Sequence, residues 1–202
     1  MRIALVRHTG FEPAMIGAML SYGKTSFDDI CKLPVVRDEI RERFGELSRK
    51  LVASGAGHDK FLEQIQYWIG IQAPLYWWKQ FDTYRIGVSK SSESTMHRSW
   101  KNGLTQDMFE SPVFDNTLKN LNKAVKEYSS QDVSVDRKKH LEEVIITNLP
   151  DGYLQTRLVN INAKTLRNIF FQRRNHKLKL WRDFCNFIEF SLPHSELITL
   201  EK

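Results

Sequence analysis

Residues 57–85 read GHDKFLEQIQYWIGIQAPLYWWKQFDTYR. Ile65, Tyr67, Ile69 and Ile71 alternate with Gln64, Gln66, Gly70 and Gln72, a period of two carried by β-favouring side chains that predicts a strand over 64–72. Ala73-Pro74 stops it, and Pro74 stands as first residue of a helix running PLYWWKQFDTY, residues 74–84. Tyr76, Trp77 and Trp78 are consecutive, and adjacent side chains on a helix point in different directions. One tryptophan is therefore expected in the core; for the other the core is again the favoured place, with a pocket, a subunit contact or stacking on a planar ligand as the alternatives. Upstream, Val36, Ile40, Phe44, Leu47 and Leu51 recur at helical spacing through residues 35–54, and Gly55 and Gly57 end that helix.

Working outward, GVSKSSESTMH (87–97) has four serines and no apolar periodicity and reads as a loop. Ser111-Pro112 reads as the cap and first residue of a helix reaching Tyr128. SSQDVSVD (129–136) is a polar break before a helix over Lys138–Ile146, and Leu149-Pro150-Asp151-Gly152 is a turn. Leu166, Ile169, Phe170, Leu178, Trp181, Phe184, Cys185 and Ile188 mark a long helical region over 163–190, broken near Asn175-His176. MIGAMLSYG (15–23) has helical character, and residues 1–50 form a helical extension packing on the sheet or on a neighbouring subunit. The whole is read as one α/β domain over residues 1–202, with a helix-rich C-terminal half.

The chain has 202 residues, 41% hydrophobic and 27% charged, enough apolar surface for a core. No apolar run nears the roughly 18 residues of a membrane span, and MRIALVRHTGFEPAM lacks the pattern of a secretory leader. Cys31 and Cys185 lie far apart outside any CxxC cluster, which points away from a disulfide scaffold or cysteine zinc site and towards a reducing, cytoplasmic setting. The net charge is +6, but residues 137–182 hold eleven basic side chains against Glu142, Glu143 and Asp151. Such asymmetry calls for an anionic partner: a nucleotide, a phosphate-bearing cofactor or a nucleic acid.

Walker, GxGxxG, HExxH and GxSxG motifs are missing. His58, His97, His140, His176 and His194 are scattered without a helical ligand pair, so no metal is assigned. Ser89, Ser91, Ser92 and Ser94 suit either a polar loop or a phosphate site made of hydroxyls and loop N–H groups.

Residues 57–85 also resemble the central segment of the flavin-dependent thymidylate synthases, with Gly57-His58, Glu63, Ala73-Pro74 and Lys79-Gln80 at matching spacing. A second stretch is similar in order: Leu149-Pro150, Asn162-Ala163-Lys164-Thr165-Leu166 and Arg173. Together they span residues 55–190. The family signature RHRxxSxNxxSxRY is mostly replaced: without a gap, RHR falls on Thr83, Tyr84 and Arg85, and the later positions on Val88, Lys90, Glu93, Thr95 and Met96. A slip of one residue instead sets Ser89, Ser91 and Ser94 on the serine and asparagine positions, with His97 at the final tyrosine.

The resemblance implies a central sheet flanked by helices and a homotetramer with sites at subunit junctions. It implies FAD as cofactor, with NADPH and methylenetetrahydrofolate where the protein is active, and methylation of dUMP without a cysteine nucleophile. On the flavin it implies Glu63, Arg85, Lys90 and Ser91; on the nucleotide, Gln80, Ser89, Ser94, Lys164 and Arg173. The second ring-polarising arginine would fall near Ser191, and Arg182 substitutes only with a shift of its helix. Three functions are carried forward: a diverged synthase, a relative that binds or sequesters a nucleotide without catalysis, and, behind them, a nucleic-acid-binding module on the 137–182 surface.

Overall fold

The computed structural model describes residues 1–23, 25–31, 38–55, 57–94 and 100–201. In chain order the elements are β1 (Arg2–Thr9), α1 (Phe11–Leu20), α2 (Phe27–Cys31), α3 (Asp38–Ser54), a 3₁₀ turn (His58–Glu63) and β2 (Gln66–Pro74). Then come α4 (Leu75–Phe81), β3 (Val88–Ser92), a 3₁₀ turn (Gln106–Met108), α5 (Asp115–Tyr128) and α6 (Val135–Asn148). The chain continues with β4 (Leu154–Asn162), α7 (Ala163–Arg173), α8 (Lys179–Ser191) and α9 (Ser195–Thr199). Four strands form one sheet in the order β1-β2-β4-β3, so the fold is α/β as the sequence implies, but the segment read as a helical extension begins with strand β1 of that sheet. The chain divides into two compact units: Met1–Arg2, Ile71–Thr83 and Ser91–Leu158 make one, and Ile3–Gly70, Tyr84–Lys90 and Val159–Lys202 the other.

The decisive strand forms as its alternation predicts: Tyr67, Ile69, Ile71 and Ala73 are fully buried. It lies two residues later than its pattern suggested, and Pro74 is the cap of α4 rather than its first residue. That cap needs no side-chain acceptor. The N–H groups of Leu75 and Tyr76, which have no intrahelical partner, donate to the carbonyls of Tyr153 (3.0 Å) and Asp151 (3.0 Å). Both Trp77 and Trp78 are buried, their rings 4.9 Å apart, so neither is left for a pocket. Arg157 secures them: its guanidinium lies 4.3 Å over the Trp78 ring and donates to Asp82 (2.9 Å) and Gln155 (2.9 Å).

In the same unit α5 and α6 form a hairpin around Trp100, Leu104, Phe109, Leu121, Val125, Ile145 and Tyr153. Helix α5 starts at Asp115, not at Ser111-Pro112, because the Gln106 amide captures Val113 on both sides. It donates to the Val113 carbonyl (2.8 Å) and accepts from its N–H (2.9 Å), holding the chain before the helix extended. Helix α6 is longer than its apolar pattern because Ser134 caps it, accepting from Arg137 N (3.3 Å).

The other unit buries Met15, Ile16 and Met19 of α1, Phe44 and Leu51 of α3, Leu166 and Ile169 of α7, Trp181, Phe184 and Ile188 of α8, and Leu197 and Ile198 of α9. Helix α3 runs Asp38–Ser54 with Phe44 and Leu51 of the predicted stripe buried; residues 35–37 lie outside the described residues. The expected break falls between α7 and α8, where Arg182 donates to the carbonyls of His176 (2.6 Å) and Lys177 (2.9 Å). The segment read as a loop over 87–97 is a strand over 88–92, with 95–97 outside the described residues. As an edge strand, β3 is covered on one side only, so it carries lysine and serine instead of an apolar alternation.

Candidate functional site

Lys164, Arg167, Asn168, Phe171 and Arg174 are spaced i, i+3, i+4, i+7 and i+10, one face of α7 and the residue that caps its end. That face walls a pocket of about 520 Å³, completed by Asp59 from the first 3₁₀ turn and Glu201 beyond α9. Asn162 positions the start of the helix: its Oδ1 accepts from Thr165 N (2.8 Å), while its own N–H donates to the Gly87 carbonyl (3.1 Å). Thr165 in turn donates to the Ile86 carbonyl (2.7 Å), so the turn at 86–87 is fastened to the N-terminus of α7.

Three cations meet two carboxylates in this pocket. The Lys164 ammonium forms an ion pair with Asp59 Oδ1 at 2.5 Å. Arg167 is buried and its Nη1 donates to the carbonyls of Leu197 (3.3 Å) and Ile198 (3.1 Å). Burial pulls its guanidinium below the usual arginine range, with Asp59 opposing that shift. Arg174 pairs with Glu201 at 2.6 Å. The guanidinium groups of Arg167 and Arg174 lie 4.8 and 5.1 Å from the Phe171 ring. Cations, an aromatic wall and an amide in a pocket of this size suit a phosphate-bearing planar ligand.

The residues picked from sequence fall in several places. Lys164 lines the α7 pocket. Glu63 is exposed and lines a separate hollow of about 920 Å³ with His58, Lys60, Gln64, Tyr22 and Leu51. Arg85 is exposed on the turn after Tyr84; Ser89 and Ser91 are exposed on β3, Lys90 half-buried between them, and Ser94 exposed beyond. Gln80 is half-buried on α4, where its carbonyl accepts from Thr83 Oγ1 (2.7 Å). Arg173 points away from the pocket. Its Nε donates to Tyr84 Oη (2.8 Å), which donates to Gln172 Oε1 (2.9 Å), and its guanidinium lies 4.8 Å from the Trp181 ring. Arg182 is exposed and holds the α7–α8 connection.

Asp59, Asn168, Phe171 and Glu201 were not singled out from sequence. The stripe along α7 was available as a signal, since its spacing is helical; Asp59 and Glu201 reach the pocket only through tertiary folding. The basic cluster also proves less uniform than its count. Arg137, Arg157, Lys164, Arg174 and Lys179 each pair with a carboxylate. Among the described residues no three His, Cys, Asp or Glu side chains gather as metal ligands, and no helix is long and apolar enough to cross a membrane.

This sheet and its helices define the fold of the flavin-dependent thymidylate synthases. Thymidylate synthase X from Helicobacter pylori, solved with FAD and dUMP, superposes with a TM-score of 0.67 at 16% identity, over 100% of this chain and 97% of that one. A second structure of the flavin-dependent enzyme from the same organism, also complexed with FAD and dUMP, gives 0.64 at 17% identity, over 100% and 98%. Residues 4–181 match the family of the thymidylate synthase complementing protein, and the chain belongs to that family. No curated protein matches it.

Proposed function

We propose that the chain is a thymidylate synthase-like protein that binds a pyrimidine deoxynucleotide such as dUMP, together with FAD. The observation that carries this reading is the α7 face: within a family-matched segment, Lys164, Arg167 and Arg174 converge on one pocket beside Phe171. The shared chemistry is a phosphate ester on a planar ring, which dUMP and FAD both supply. For FAD, Arg85, exposed, and Lys90, half-buried, would supply cations to the pyrophosphate, and Glu63 borders the larger hollow. Ser91, like Gln80, Ser89, Ser94, Arg173 and Arg182 for the nucleotide, carries over residue by residue. Bound FAD would supply the redox chemistry of the methyl transfer. The protein's own part would be to hold phosphates, orient the rings and exclude water. NADPH, methylenetetrahydrofolate and a homotetramer belong to the same proposal.

A second reading, binding without catalysis, is favoured by the Tyr84–Arg173 pair. Tyr84 stands at the middle of the replaced RHR triplet and is 8% exposed. It holds the arginine that the resemblance assigns to the nucleotide.

Visible absorbance of freshly purified protein, mass spectrometry of anything released, and thermal-shift titrations with dUMP and with FAD test the proposal. Flavin absorbance together with a dUMP-dependent rise in Tm is the expected outcome. A colourless protein that takes up no FAD and ignores dUMP overturns it. NADPH oxidation or one-carbon labelling of dUMP separates the two readings.

A further inference from the structure

The three cations of the α7 pocket are not equally open to a ligand. Lys164 is tied to Asp59, whose side chain is only 9% exposed; drawing the lysine away would strand a buried carboxylate. Arg167 is buried, and its Nη1 is committed to the carbonyls at the end of α9. Arg174 differs. Its partner Glu201 is 69% exposed, so that carboxylate can return to water at little cost. The Phe170 and Phe171 rings, 5.8 and 5.1 Å from the guanidinium, hold Arg174 in place, and its contact with Glu201 is through Nη1. A guanidinium so held presents a fork of donors that matches two oxygens of a phosphate.

We propose that Arg174 is the anion receptor of this pocket and that Glu201 is its internal stand-in, displaced when a phosphate group arrives. The inference rests on the α7 pocket being the ligand site. A ligand phosphate replaces one exposed carboxylate, so binding frees the chain around Glu201, while Arg167 keeps α9 anchored at Leu197 and Ile198. Without ligand, Glu201 offsets the charge of Arg174 and the pocket keeps one net positive charge, and a doubly charged phosphate outcompetes a singly charged carboxylate for the same fork.

The test is calorimetric titration of the full chain with inorganic pyrophosphate at low salt, comparing wild type, Glu201→Gln, Arg174→Ala and Arg174→Lys. Glu201→Gln should bind about two- to five-fold tighter, the range an exposed ion pair commands, and the gain should shrink in high salt. Arg174→Ala should bind about ten-fold weaker or worse. Arg174→Lys, which keeps the charge and the fold but not the fork, should fall between wild type and Arg174→Ala. Amide exchange at residues 200–201 should quicken with saturating pyrophosphate while that of α9 stays unchanged. Equal or weaker binding by Glu201→Gln overturns the stand-in, and undiminished binding by Arg174→Ala overturns the receptor; both leave the pocket itself intact. No binding by either wild type or Glu201→Gln overturns the pocket reading and this inference together.

Discussion

Substituting Gly87 by alanine should damage the N-terminus of α7 by a route the structure lets one calculate. Gly87 has φ +67, a left-handed backbone that costs an L-residue about 1–2 kcal/mol. An added Cβ would stand 2.1 Å from Asn162 Nδ2 and 2.7 Å from its Cγ, so the whole amide must leave. That amide caps α7 through Thr165 N, and losing such a cap costs about 1 kcal/mol. The sum is about 2–3 kcal/mol, read as a fall in the unfolding free energy in urea at constant m. The mechanism has its own signature in a double-mutant cycle. Asn162→Ala alone should cost about 1 kcal/mol; in that background the clash is gone, and Gly87→Ala should cost only the backbone term of about 1–2 kcal/mol. A coupling of about 1 kcal/mol is thus expected, and affinity for dUMP should fall with it, since Lys164 sits two residues past the cap. Strict additivity, or a cost for Gly87→Ala below about 1 kcal/mol, would refute the argument.

Arg157→Lys should destabilise the protein by about 1–3 kcal/mol in denaturant titration, because lysine cannot serve Asp82 and Gln155 while covering Trp78. Burial holds His194 below the usual histidine range, with His8 pushing the same way and Glu196 opposing. The unfolded chain therefore takes up the proton first, so this group's contribution is complete above about pH 6.5 and declines as pH falls through that value. His194→Asn, which tolerates the left-handed backbone at φ 59, should flatten the pH–stability curve there, leaving the slope from His176, which is lowered in the same direction. Cys185 is buried and its thiol pushed up to about 12 by desolvation, whereas Cys31 is exposed. Iodoacetamide on the native protein should label Cys31 alone, with Cys185 reacting only in denaturant; labelling of Cys185 at a similar rate under native conditions would contradict its burial.

Legibility in the sequence tracked how each element is covered. Strand β2 announced itself because its inward positions are Tyr67, Ile69 and Ile71. Strand β4 was overlooked because its buried positions include Gln155 and Asn162, polar side chains that are satisfied in place: Gln155 donates to the Glu93 carbonyl (2.8 Å), and Asn162 caps α7. Periodicity counts apolar residues, so it cannot see a strand whose interior is hydrogen-bonded. Only the start of helix α5 is displaced, for a related reason: Pro112 looks like a helix start, but the Gln106 amide competes for the chain at Val113 and wins locally.

The site divides along the same line, and Arg173 and Arg174 show it at single-residue scale. Matching motifs selects Arg173, which keeps its place in the family pattern. Successive residues on a helix point about 100° apart, and here the two neighbouring arginines turn to different sides. Arg173 turns to Tyr84 and Trp181, and Arg174, at the cap, turns to Phe171 and Glu201. Counting charge along the chain treats them alike, although Arg173 donates to Tyr84 and Arg174 lines the α7 pocket. The face of α7 separates them, because Lys164, Arg167, Asn168 and Phe171 fix which side the pocket is on, and only Arg174 continues their spacing. The proposed anion receptor of this pocket is therefore reached by following the helical face rather than the aligned position.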